Sequence, residues 1–278
     1  MSEKEQDYIK IIAEKRRDIK KKLLFVKTHF GQPSKMDVAS YLWVIFAGNI
    51  VYKSQDLVLL LEAHERDEGS GLKAPLYTLL RSILEDTMYM RYLLHDLDKS
   101  GLQKRFDALK YHESKIRNKL LNSLMDLESK GKFHFDIEDD RHVLSAKGMK
   151  GRVDKNQGDM DFLEDRYKSD VEFERICNNL DKVIEVCKAY DSAKGIEKTI
   201  KKEEAKSLEW VYNYLYRFKS MYSHQSLTSQ EDVLGHVWGS RTLNSNIEIE
   251  SLMAAILESV QESGDLVLGS IKLNSKRH

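Results

Sequence analysis

Residues 41–61 read YLWVIFAGNIVYKSQDLVLLL, the most apolar run in the chain, and their reading decides the fold. Asn49, Lys53, Gln55 and Asp56 interrupt the run, which makes it too broken to span a bilayer. Apolar residues at 38, 41, 42, 45, 52, 57, 60 and 61 keep helical spacing and form a wide stripe. The segment is therefore expected to be a buried core helix with no membrane role. It is expected to start at a cap on Ser34 or Asp37 and to run to about Arg66.

The neighbouring segments follow the same period. Residues 3–30 read as an amphipathic helix stopped by Gly31-Gln32-Pro33. Gly69-Ser70-Gly71 is a turn, and Pro75 suits the first turn of a third helix whose face is Leu76, Leu79, Leu80, Ile83, Leu84, Thr87 and Met88. Arg81 and Glu85 lie beside that face at i, i+4, where they read as a structural pair or as a pair that orients a catalytic group. Residues 102–129 give a fourth helix, expected to bury Phe106, Leu109, Ile116, Leu120, Leu124 and Leu127.

From 131 to 160 the pattern changes. Four glycines and many charges read as a long irregular excursion, with a short strand at Phe133–Asp136. Helical periodicity returns from Phe162 to Tyr190, Lys194–Lys206 is charged, residues 225–246 read as a loop, and Ile247–Ile271 is a last helix. Only two prolines occur, and alternating β-branched stretches are scarce. The expected fold is all-α: one multi-helix bundle spanning residues 1–278, with an insertion at 131–160.

Composition narrows the function classes. The 45 basic and 45 acidic residues cancel, which argues against coating long nucleic acid by charge alone but leaves room for a compact phosphate site. Cys177 and Cys187 are ten apart, a spacing of no zinc pattern, and two thiols make no disulfide framework. The N-terminal residues read as carrying no signal peptide, so the expected compartment is the reducing cytoplasm. His64-Glu65 and His112-Glu113 both lack the second histidine of a zincin helix, and no metal or cofactor is expected.

One stretch carries candidate chemistry. Residues 210–227 read WVYNYLYRFKSMYSHQSL, with apolar residues at 211, 214, 215, 218, 221 and 222. Arg217 and His224 are seven apart, about two helical turns, so both project from the border of the apolar stripe. A fixed cation beside a titratable imidazole suits phosphodiester cleavage. The same spacing recurs at Arg105 and His112 in RFDALKYH, so the pattern alone does not select between them.

Resemblance favours the later pair. YRFKSMYSHQS resembles the Arg-x4–6-His signature of the HEPN superfamily. LLRSILEDTMYMRYLL is similar to a helix of a bacterial family of uncharacterised helical proteins, which pairs an Arg-x3-Glu helix with a later Tyr/Ser/His segment. The resemblance implies a helical homodimer that acts on RNA without metal, as a growth-arrest or anti-phage defence effector. It makes Arg217 the phosphate-holding residue and His224 the general acid/base, with Arg81, Glu85, Tyr222 and Ser223 in support. The competing expectation is a non-catalytic helical module that binds a protein partner or a nucleotide through residues 131–160.

Overall fold

The structure is a computed structural model, and it describes residues 7–66, 73–95, 99–131, 146–180, 182–195, 207–212 and 245–275. All regular structure among these residues is helical, as the sequence pattern predicts. The helices are α1 (Tyr8–Phe30), α2 (Val38–Arg66), α3 (Lys73–Leu94), α4 (Lys99–Ser129), α5 (Ala146–Arg166), α6 (Val171–Asn179), α7 (Val183–Ala193), the short α8 (Leu208–Val211) and α9 (Ser245–Ser275). Two compact units result: residues 1–97 with 183–278, and residues 98–182.

In the first unit α2 packs against α1, α3 and α9. Its entry is set by Asp37, whose Oδ1 accepts from Ser40 N at 2.8 Å. The preceding helix stops at Gly31, where φ is +70° and the N–H returns to Lys27 O, with Pro33 two residues on. Leu42, Trp43, Ala47, Ile50, Val51, Leu57 and Leu61 are buried, as in a core helix. By length and composition alone Val38–Ala63 is also apolar enough to cross a membrane, and its outer side leaves Ile45, Tyr52 and Leu59 exposed. The face of α3 is also as expected: Leu76, Leu80, Ile83, Leu84, Thr87 and Met88 are buried.

The seam between α1 and α9 closes this unit. Ile12, Ile19 and Val26 recur every seven residues and are fully buried. Lys15 pairs with Glu258 at 3.4 Å and Lys22 with Asp265 at 2.7 Å along its rim. At the crossing with α2, Trp43 is wholly buried and its indole N–H donates to Val260 O at 3.2 Å. Gly264 makes room for that ring: a Cβ there would lie 2.5 Å from Trp43 Cζ2. Lys53 of α2 donates to Asp86 Oδ2 (2.6 Å) and Ser82 Oγ (2.7 Å) of α3. Burial still holds the Asp86 carboxyl above its ordinary pKa, because desolvation outweighs the lysine.

The second unit corrects two expectations. Residues 146–160 are not irregular: they form most of α5. Their glycines at 148, 151 and 158 suggested a break, but one helical glycine costs only about 1 kcal/mol. A seam at Met149, Val153, Asn156, Met160 and Leu163, spaced 4, 3, 4, 3, outweighs that cost; all but the half-buried Val153 are buried. The strand expected at Phe133–Asp136 lies outside the described residues.

The apolar face of α4 is the other correction. Ile116, Leu120 and Leu127 are 54%, 58% and 40% exposed rather than buried. Helix α5 packs instead on the face of α4 that carries Asn118, whose side-chain carbonyl accepts from Asn156 Nδ2 at 2.9 Å. Buried amides need partners, and this pair supplies them, which fixes the face that α4 turns to α5.

Gly264→Ala is expected to destabilise the protein, against the usual sign for a helical Gly→Ala change. Overpacking against the immobile Trp43 ring should cost ~1–3 kcal/mol, more than the propensity gain of about 1 kcal/mol. A lowered urea midpoint with unchanged m checks this; a raised midpoint would show that the ring moves aside.

Candidate functional site

Of the sequence-predicted site residues, Arg217, Tyr222, Ser223 and His224 lie outside the described residues. What is described is the start of their segment. Ser207 Oγ (2.8 Å), Leu208 N (2.8 Å) and Glu209 N (2.9 Å) all donate to the buried carboxylate of Asp191, at the end of α7. Three donors, two of them the orphan N–H groups of a helix start, make this a long-range cap. It fixes where the chain re-enters helix six residues before Tyr214 and nine before Arg217. Asp191 was not singled out from sequence, because nothing local couples it to residues 207–209.

Arg81 and Glu85 form the i, i+4 pair expected of them, at 3.7 Å and each about one-third exposed (32% and 33%). That distance makes a weak ion pair of a kind worth a few tenths of a kcal/mol on a helix. Further along α3, Arg91 donates to Tyr190 OH at 3.0 Å and lies over the same ring, and Lys194 donates to His95 O at 2.7 Å. These contacts tie α3 to α7, and so to Asp191.

The second unit holds a cleft of about 710 Å³ between α4 and the α5–α6 turn. His112, Lys115, Ile116 and Lys119 of α4 line it, at i, i+3, i+4 and i+7. Arg105 does not: it is buried (8% exposed) two turns earlier, so the structure separates the second Arg-x6-His pair into one cleft residue and one packed one. Opposite stand Tyr167, Lys168, Ser169, Asp170 and Phe173.

This wall is rigidly built. Tyr167 stacks on Phe173 at 4.2 Å, and Tyr111 meets the same ring edge-on at 6.2 Å. Tyr111 OH donates to Glu164 (2.6 Å) and Tyr167 OH to Asp107 (2.7 Å). Asp170 caps α6 through Glu172 N and Phe173 N, and Lys104 binds its other oxygen at 2.8 Å. Lys104 and then the Phe173 N–H hold the Asp170 carboxyl below its ordinary range. Ser169 takes φ +67°, a left-handed conformation unusual for a side-chain-bearing residue.

The two phenols and the thiol here are held in their protonated forms at neutral pH. The hydrogen bond to Glu164 pushes the Tyr111 phenol up to about 12, and burial followed by the bond to Asp107 does the same for Tyr167. Burial raises Cys177 to about 11, so its thiol stays protonated at neutral pH. Lys115, Lys119 and Lys168 make no ion pair among the described residues. The cleft therefore offers aromatic edges and lysine ammonium groups to a ligand. Among the described residues no group of three His, Cys, Asp or Glu side chains gathers as a metal site requires.

Comparison with known proteins places the chain in a family. Residues 42–239, more than half of the 278, match the model of a family of unknown function (DUF5677), and the chain belongs to it. The matched stretch takes in α3, the whole second unit, Asp191 and the Arg217–His224 segment. No curated protein and no solved structure matches the chain.

Asp191→Ala is expected to lower stability by about 2–3 kcal/mol, since it strips a buried charged acceptor from three donors. Asp191→Asn, which keeps one acceptor oxygen, should lose less. Thermal melts of both variants check this; equal losses would mean that the charge, not the geometry, carries the cap.

Proposed function

We propose that the protein is a cytoplasmic, metal-independent endoribonuclease of the HEPN type, a growth-arrest or anti-phage defence effector whose catalytic pair is Arg217 and His224. What supports this is the resemblance of the Arg217–His224 stretch to the HEPN signature; of the other Arg-x6-His pair, also within the family-matched stretch, Arg105 is buried and only His112 borders the cleft. The all-α fold supports it, being the fold that the resemblance implies.

The chemistry asks little of the protein. RNA brings its own nucleophile: the 2′-oxygen bonds to phosphorus as the bond from phosphorus to the 5′-oxygen breaks. An imidazole with an ordinary pKa of about 6.5 takes the 2′-hydroxyl proton, and a protonated imidazole returns one to the leaving oxygen. A guanidinium stabilises the charge of the phosphorane between the two steps. On a straight helix Arg217 and His224 lie about 10 Å apart along the axis, too far for one phosphate. The same residues of a second copy supply the missing partners in this reading.

His224→Ala is expected to abolish cleavage of a labelled RNA with the circular dichroism spectrum unchanged. Arg217→Ala should do the same, and His112→Ala should leave cleavage intact. Loss on His112→Ala with an active His224→Ala would transfer the chemistry to α4.

A second reading is favoured by the cleft of the second unit: a non-catalytic module that binds a nucleotide. Its volume of about 710 Å³ suits a small ligand, and Lys115 and Lys168 are free of ion pairs among the described residues. Here Lys115→Ala with Lys168→Ala should weaken ATP binding, measured by calorimetry, at least tenfold. Wild-type protein that takes up no ATP or AMP at millimolar concentration would remove this reading and leave the first untouched.

A further inference from the structure

The exposed apolar stripe of α4 has no packing partner among the described residues of its own unit. Ile116, Leu120 and Leu127 are about half exposed, and Leu124 between them is half-buried. Taking about 100° and 1.5 Å per residue, the four side chains fall within an arc of about 80° over roughly 16 Å of helix. That is a narrow seam of the kind that pairs helices, not a scatter of surface leucines.

The charges beside the seam say what pairs with it. Arg117 and Glu128 lie on one flank; Lys119 and Asp126 lie on the other. When a helix meets an antiparallel copy of itself, each flank faces the same flank of the copy. Registering Ile116 against Leu127 of the copy then sets Lys119 against the copy's Asp126 and brings Arg117 towards its Glu128. Both flanks match opposite charges in one register, twice each by symmetry. A parallel pair instead sets Arg117 level with Lys119 and Asp126 level with Glu128, two like pairs against one opposite pair, Glu128 with Lys130 on the Lys119 flank. Lys119 and Glu128 make no ion pair within the chain among the described residues, so neither is already engaged. Arg117 and Asp126 hold only exposed intrahelical partners, Glu113 at 3.1 Å and Lys130 at 2.6 Å.

We propose that α4 is a homodimer interface, in which residues 113–130 pair antiparallel with the same residues of a second copy about a two-fold axis near residue 122. A surface that matches its own charges better antiparallel than parallel fits an isologous contact. The proposal rests on α4 alone and does not depend on either functional reading. Ile116 and Lys119 also border the cleft, so the second copy stands at the cleft's edge.

The test uses the full chain at tens of micromolar, by sedimentation equilibrium. The wild type is expected to be a dimer. Leu120→Glu should shift it to monomer with unchanged helicity, because the side chain is already more than half exposed (58%). Lys119→Glu should weaken the dimer at least tenfold, and Lys119→Glu with Asp126→Lys should restore it. A monomeric wild type overturns the proposal, as does a dimer indifferent to Leu120→Glu. Failure of the double reversal to restore what Lys119→Glu loses overturns the antiparallel register.

Discussion

The first unit depends on a steric fit: an indole ring seated where another helix has no side chain. Trp43 and Gly264 are separated by most of the chain, yet the ring occupies the space in which a Cβ at 264 would sit. The indole is fully buried, and its one polar atom is satisfied by Val260 O from the same helix. Size, shape and hydrogen bonding are met at one crossing. Because α9 also contacts α1 and α3, the depth at which Trp43 seats sets the approach of all four helices.

The family match takes on a physical meaning beside this fit. It begins at residue 42 and stops at 239, so it includes Trp43 but neither α1 nor α9. The matched stretch supplies the large ring, and helices outside it supply the cover. Burial of α2 and α3 thus depends on helices outside the matched stretch. Asp191 adds a second long-range constraint, a single carboxylate that draws the start of α8 onto α7. Hydrophobic fit places the helices, and one charged cap places the entrance to the segment that holds Arg217 and His224.

Much of the fold was legible because helical periodicity is a local signal. The wide stripe of α2, the Gly31 stop, the Asp37 cap and the buried face of α3 all follow from residues within a few turns of one another. Two features were not legible, for different reasons. Helix α5 hid behind three glycines, although its seam from Met149 to Leu163 keeps a heptad rhythm; breaker residues were weighed above period. The apolar side of α4 was read correctly as a stripe and wrongly as a buried one. Period shows that a face is apolar and cannot show what it meets. The candidate site was legible in part: Arg81 and Glu85 pair as their spacing demands, whereas the aromatic wall of the cleft is assembled from α4, α5 and α6. Within that lining, His112, Lys115, Ile116 and Lys119 of α4 and, separately, Phe173, Glu174 and Cys177 of α6 share faces that spacing could have revealed.

The seam between α1 and α9 has a consequence for how the protein is made. Ile12, Ile19 and Val26 leave the ribosome ahead of α2 to α8, and α9, the helix that covers them, follows all of these. Until α9 emerges α1 therefore presents an uncovered apolar edge, with α2 as its only other large neighbour among the described residues. The second unit, continuous from 98 to 182, has every helix it needs once α6 emerges. Order of synthesis and order of completion are reversed: the second unit can finish first, while α1, made before it, waits for α9.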